Sequence, residues 1–151
     1  MWKTNPVAEQ PPLVVRRRIR ATAARLFEAW TTPEQLLRWW GPSEVRCTHA
    51  EVNLRVGGRF RIDNALSDGH VICITGEFLA IDRPHRLIYT WSTNPASEAS
   101  ERVTVVFEPD GAATEVIVTH ERIPDEQTRR GHESGWAGCM DGLDRLMHCG
   151  P

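Results

Sequence analysis

The feature that most restricts this chain lies near its end, in Glu133-Ser134-Gly135-Trp136-Ala137-Gly138-Cys139-Met140-Asp141-Gly142-Leu143-Asp144-Arg145-Leu146-Met147. At helical spacing Trp136, Met140, Leu143 and Met147 fall on one stripe, with Cys139 and Leu146 beside it. Ala137, Asp141, Asp144, Arg145 and His148 fall on the far side. Gly131, Gly135, Gly138 and Gly142 form a second stripe at one edge of the apolar face. Each glycine costs a helix roughly 1 kcal/mol relative to alanine. Something must compensate, and close backbone approach to a neighbouring element is the usual reason. The stretch reads as a long amphipathic helix that cannot stand alone. Nearly everything before it is short alternating strand, so the simplest architecture wraps those strands around the helix.

Taken in order, Met1 to Pro12 holds three prolines and no period, and reads as an extended or loose tail. Leu13 to Ile19 alternates as a first strand. Thr22 can cap a helix from Ala23 to Trp30 that buries Leu26, Phe27 and Trp30. Thr32-Pro33-Glu34 opens a second helix, and Gly41-Pro42 stops it. Strands follow over Val45–Leu54, Arg59–Leu66, His70–Ile81, Arg86–Ser92, Arg102–Glu108 and Ala113–Arg122. Turn signals separate most of them: Gly57-Gly58, Ser67-Asp68-Gly69, Asp82-Arg83-Pro84-His85 and Pro109-Asp110-Gly111. Asn94 to Ser100 is a polar loop, and Pro124-Asp125-Glu126 opens the last helix. Consecutive strands joined by short turns pair antiparallel. The prediction is an α+β chain: residues 1–12 a tail, residues 13–149 one domain, with about seven curved antiparallel strands folded over the terminal helix.

Composition removes several functions. A net charge of -2 argues against nucleic-acid binding. The one basic run, Arg16-Arg17-Arg18, lies inside a strand pattern and reads as a solvated or edge face. No segment approaches the ~20 apolar residues of a membrane span. The N-terminus lacks the apolar centre of a signal peptide. Cys47, Cys73, Cys139 and Cys149 form no CxxC and read as free thiols of a cytoplasmic protein.

Five marks, in order, carry a resemblance. They are Ala23–Trp30 with Thr32-Pro33-Glu34-Gln35-Leu36 and Trp39-Trp40-Gly41-Pro42; Val56-Gly57-Gly58-Arg59-Phe60; Pro84 to Trp91; Thr114-Glu115-Val116 through Thr119-His120-Glu121; and Gly135-Trp136. Over roughly Leu13 to Met147 the chain resembles the SRPBCC (START, birch-pollen-allergen-like) superfamily. Within it, the chain is similar to bacterial homologues of the activator of heat-shock-protein-90 ATPase. The resemblance implies a helix-grip fold, in which a bent antiparallel sheet grips the last helix around a cavity. Members bind apolar small molecules there, and some lineages catalyse cyclisation, hydrolysis or dehydration. The fold alone does not choose among these.

By alternation Phe60, Ile62, Leu87, Tyr89, Trp91, Val103, Val105, Phe107, Val116 and Val118 face the helix, with Trp136, Met140, Leu143 and Met147 facing back. These residues read either as a ligand pocket or as plain core. Arg129, His132 and Glu133 project toward the apolar side near the start of the last helix, at a cavity mouth or as a solvated first turn. His120 shares a strand face with Val116 and Val118, where a hydrogen-bonded core histidine is the plainer reading. Trp30, Trp39 and Trp40 cluster around the bent helix pair, as a gate or as a plug. Cys47 and His49 alternate onto one face, but two ligands are too few for zinc. No metal site, cofactor or catalytic constellation is indicated.

The expected function is binding of a small apolar or amphipathic molecule without covalent chemistry. The ligand-binding candidates are Phe60, Ile62, Tyr89, Trp91, Val105, Phe107, Val118, His120, Arg129, His132, Trp136, Met140 and Leu143. A co-chaperone role with a heat-shock-protein-90 homologue rests on the family resemblance alone. An enzyme acting on a polyketide-like or aromatic substrate would use His120, Tyr89 or Arg129 as acid, base or clamp. The glycine stripe would also suit a helix-to-helix homodimer contact. No nucleic-acid or membrane partner is expected.

Overall fold

The computed structural model describes residues 10–41, 44–93 and 100–148. Most of the N-terminal tail, Pro42, nearly all of the Asn94–Ser100 loop and Cys149 lie outside the described residues. The elements are β1 (Leu13–Ile19), α1 (Ala23–Thr31), α2 (Pro33–Trp39), β2 (Val45–Val52), β3 (Arg59–Leu66), β4 (Val71–Asp82), β5 (Arg86–Trp91), β6 (Glu101–Asp110), β7 (Ala113–Glu121) and α3 (Glu126–His148). The seven strands form one sheet in the order β1-β7-β6-β5-β4-β3-β2. Every neighbouring pair is antiparallel. This is the expected α+β helix-grip fold.

The topology gives the two short helices a task. β1 pairs with β7 and occupies one edge, whereas β2 occupies the other. The chain must therefore cross the sheet between its first two strands, and α1 and α2 make that crossing. The Thr22 hydroxyl starts α1 by accepting the Arg25 N–H at 3.1 Å. Thr32 stands at the cap position of α2 without a side-chain capping bond. Pro33, with φ already set for a helix, and Glu34 in the first turn start that helix instead.

Strand alternation sets the inner face. β5 buries Leu87, Tyr89 and Trp91, β6 buries Val103, Val105 and Phe107, and β7 buries Val116, Val118 and His120. Trp136, Met140 and Leu143 of α3 belong to the same core. Each fully buried side chain of this size contributes on the order of 1.5–3 kcal/mol. β2 breaks the rule. A register shift between Cys47 and His49 puts the thiol inside and leaves the imidazole exposed. The two do not share a face, because a bulge adds a residue that simple alternation does not count. Cys47, Cys73 and Cys139 are free thiols.

The glycine stripe of α3 divides into a tight end and an open end. A Cβ on Gly142 would stand 2.3 Å from the Trp39 carbonyl oxygen, so here the helix touches α2 backbone to backbone. A Cβ on Gly131 or Gly135 would meet nothing within 4 Å. The expected close approach thus holds at Gly142 and not at Gly131 or Gly135. The far side of the tight end is held from β1, where Arg17 pairs with Asp141 at 2.5 Å and with Asp144 at 3.4 Å. At the other end the Arg129 guanidinium donates to the carbonyls of Pro11 and Pro12 at 3.2 and 3.3 Å. Among the described residues no helix is long and apolar enough to cross a membrane.

The two ends of α3 respond oppositely to the same substitution. Gly135→Ala is expected to stabilise the protein by about 0.5–1 kcal/mol through helix propensity. Gly142→Ala is expected to destabilise it by about 1–3 kcal/mol, because the new methyl overlaps a backbone atom that cannot move alone. Urea unfolding of the two variants measures both, and equal signs would contradict this seating of the helix.

Candidate functional site

Where α3 stands away from the sheet, a cleft of about 210 Å³ remains. Its floor comes from β3 and β4 through Asn64, Leu66, Ile72 and Ile74. Trp91 and Thr93 border it at the end of β5, and Trp40 and Val45 border it beyond α2. Gly131, His132, Gly135, Trp136 and Cys139 of α3 close it from above. Three indoles form one wall. Trp136 lies 5.5 Å from both Trp40 and Trp91, and these two lie 6.1 Å apart, centroid to centroid. Burial pushes the Cys139 thiol up to about 12, so it stands in the cleft uncharged. A second void of only about 20 Å³ lies among Trp30, Leu36, Trp40, Val52, Phe60, Ile62, Phe78 and Tyr89. That is room for little more than one water.

Behind the cleft wall sits a carboxylate shared by two histidines. Glu101 is the first residue of β6, and its Oε1 lies 2.6 Å from His120 Nε2 and 2.7 Å from His132 Nε2. The two imidazoles stack at 4.3 Å and 20°. His120 is fully buried, and the Trp136 indole N–H donates to its Nδ1 at 3.0 Å. This bond assigns the tautomer: Nδ1 is the acceptor, so the proton of neutral His120 is on Nε2 and points at Glu101. Burial lowers the pKa of His120, outweighing the attraction of the carboxylate. Burial by itself would raise the pKa of Glu101, but the bonds from both imidazoles hold it down to about 2. The group is therefore an ionised carboxylate that bridges the Nε2 edges of two stacked rings.

The fold has known relatives. Residues 20–148 match the family described as Activator of Hsp90 ATPase homolog 1-like protein. The chain belongs to this AHSA1-like family. No curated protein sequence matches it. Among solved structures it is similar to protein CV1439 from Chromobacterium violaceum, with TM-score 0.82 and 23% identity over 89% of this chain and 95% of that one. It is also similar to the AHSA1 (SPO3351) protein from Silicibacter pomeroyi, with TM-score 0.82 and 21% identity over 92% and 99% of the two chains. The AHSA1-like protein from Aeromonas hydrophila gives TM-score 0.75 and 25% identity over 89% and 90%.

On this AHSA1-like scaffold the residues named from the sequence separate into four groups. Trp91, His132 and Trp136 border the large cleft. Phe60, Ile62 and Tyr89 border the small void, where the Trp30 indole donates to the Tyr89 hydroxyl at 3.3 Å. Burial raises the pKa of that phenol well above the ordinary range. Val105, Phe107, Val118, His120, Met140 and Leu143 are fully buried and border neither space. Arg129 is turned toward Pro11 and Pro12. Of the tryptophans around the bent helices, Trp40 reaches the large cleft, while the Trp39 indole donates to the Ala29 carbonyl at 2.8 Å.

Sequence reasoning missed Glu101 and the pairing of His120 with His132. The strand was predicted to start at Arg102, one residue too late. The two histidines are twelve positions apart and meet only through the packing of α3 on β7. Their alternation and helical phase, both inward, were the available signal. Glu101, His120 and His132 do lie close enough for a metal ion, with ligand atoms within 4.8 Å of one another. The protonation pattern opposes one. Trp136 occupies the Nδ1 lone pair of His120 and Glu101 receives its Nε2–H, which leaves that ring no lone pair for a metal. Two ligands remain, which is fewer than a protein metal site ordinarily uses.

The same network sets the acid response. The unfolded chain takes up a proton at His120 that the folded chain resists, so stability falls as pH drops through the ordinary histidine range near ~6.5. Glu101 stabilises fully above the ordinary carboxylate range near ~4.3, and its contribution is lost as pH falls from there toward about 2. Urea midpoints measured against pH are expected to fall in these two windows. In His120→Gln the upper decline should shrink and the lower one persist. An unaltered upper decline in that variant would place its source elsewhere.

Proposed function

We propose that this protein binds a small apolar or amphipathic molecule in the cleft between α3 and strands β3 and β4, without forming a covalent bond to it. The supporting observation is about 210 Å³ of space walled by three indoles and branched aliphatic side chains. Its lining is almost wholly apolar, whereas the larger hollows at the surface are bordered by charged side chains such as Arg25, Glu28, Arg38 and Glu44. The cleft exceeds the ~150 Å³ apolar cavity known to admit benzene. It is smaller than the ~300 Å³ at which drug-sized sites begin. A guest of one or two rings fits those bounds. The fold also supports the reading, since SRPBCC-like proteins commonly hold ligands in such a cavity. Non-covalent binding is favoured because Cys139, the thiol at the cleft, is held neutral.

A panel of neutral one- and two-ring compounds, screened by thermal shift and native mass spectrometry, tests the proposal. A ligand at 100 times its Kd stabilises the folded state by about 2.7 kcal/mol. For a domain of this size that raises Tm by roughly 5–10 °C. Gly135→Leu places a side chain in the open space over the cleft, and is expected to fold and lose the shift. A panel that leaves wild-type melting unchanged, or moves both proteins equally, contradicts the proposal.

A further inference from the structure

We infer that the cleft selects a neutral guest that both donates and accepts a hydrogen bond, and that Asn64 and Trp91 are the residues that read those groups. The inference rests on the cleft being the binding site proposed above. Its starting point is two orphaned atoms. Asn64 Oδ1 and Trp91 Nε1 are buried without a hydrogen-bond partner, and both residues line the cleft. One further side-chain atom among the described residues is recorded in that condition, Asp144 Oδ1, and it lies 3.0 Å from the His148 imidazole. The two orphans at the cleft are therefore the ones that need an explanation. Leaving a buried polar group unmatched is unfavourable, and native proteins keep few of them.

The surroundings explain why neither atom finds a partner within the protein. Asn64 is 5% exposed and takes the inward position on β3 after Phe60 and Ile62, where alternation would supply another apolar residue. Trp91 packs against Trp40, Trp136, His120 and His132, which offer ring edges and faces. The lone pair of His120 is already taken by Trp136, and the Nε2 atoms of both histidines are engaged by Glu101. The network thus satisfies one indole N–H and leaves the other over. What the fold leaves over is one fully buried acceptor and one fully buried donor bordering an apolar space. A hydroxyl can serve both, and so can a guest carrying two separate groups.

Charge narrows the class further. No lysine or arginine lines the cleft, and the ionised Glu101 stands behind His132. An anionic guest would be buried without a counterion, which is strongly unfavourable. The three indoles are packed against one another at 41° to 82°, so no two of their faces stand open opposite each other to sandwich a cation. The class is a neutral arene of one or two rings bearing a hydroxyl or an amide-like donor and acceptor.

Three probes of one size separate the possibilities: 2-naphthol, naphthalene and 2-naphthoate. Each is titrated near neutral pH and followed by 1H–15N NMR at the Trp91 indole N–H, assigned by its loss in Trp91→Phe. 2-Naphthol is expected to bind about tenfold more tightly than naphthalene, as one or two net hydrogen bonds allow. It should shift the Trp91 indole resonance downfield, and 2-naphthoate should bind weakest. Asn64→Leu is expected to narrow the naphthol-to-naphthalene ratio to about twofold or less. Trp91→Phe should narrow it likewise, and serves if the Asn64 variant does not fold. Equal affinity for the two neutral probes in the wild type, with both lost in Gly135→Leu, overturns the selection and leaves the binding cleft in place. Tightest binding by 2-naphthoate overturns the neutrality argument. Failure of all three to bind overturns the cleft as a site for such guests, and the selection with it.

Discussion

The structure depends on one contact, the meeting of Gly142 in α3 with the Trp39 carbonyl at the end of α2. A helix laid over a curved sheet can sit at many heights, and this contact sets the height at one end. There the helix comes close enough that a single methyl would not fit, with Leu143 and Leu146 buried around it and Arg17 holding the outer face. Seven residues toward the N-terminus the same stripe of glycines overlies nothing. The glycine stripe is filled at one end and open at the other, and the cleft lies beside the open end. Small residues permit contact in the first place and leave vacancy in the second. Their energetic cost to the helix is similar at both.

The end of the helix beside the cleft is tied to the sheet by polar chemistry. Glu101, at the start of β6, receives His120 from β7 and His132 from α3, and Trp136 of α3 closes back onto His120. Four groups from three elements are thereby locked in one arrangement of donors and acceptors. The carboxylate stays charged in a largely buried place because two imidazoles satisfy it. The arrangement also orients His132 along the cleft wall. Hydrogen bonding of this kind is directional, so it sets a spacing that apolar packing alone would let collapse.

Much of the fold was legible because it follows from period. Leu87, Tyr89 and Trp91, or Val103, Val105 and Phe107, declare an inward face without reference to any other strand. The terminal helix declared itself by its stripe, and its glycines announced an unusual neighbour. The candidate site was legible only in outline. Val105, Phe107 and Val118 face the helix, and Met140 and Leu143 face back from it, as expected, yet all five are filled core and border neither space. The room lies toward β3 and β4, beside Gly131 and Gly135, and which glycines meet a neighbour and which meet open space is set in three dimensions that no local pattern encodes. Asn64 reads from sequence as an ordinary polar residue in a strand, and only its burial without a partner singles it out. Glu101 was lost to a boundary error of one residue. Cys47 and His49 were misjudged because a bulge resets the count.

Among the described residues the sheet is a half-closed ribbon with two edge strands, β1 at one margin and β2 at the other. A bare row of strand amides is a template for pairing with another molecule, and long flat margins lead to aggregation. Neither margin here is bare. β1 carries Arg16 and Arg18 on its outer face, flanking the inward Arg17, and β2 is kinked by its bulge. The basic run that stood out in an otherwise mildly acidic chain thus lies where strand-to-strand polymerisation would begin. Ion-paired charged side chains at one margin, Arg16 with Glu115 and Arg18 with Asp110, and broken register at the other are features that disfavour the addition of a further strand to an open, gripping sheet.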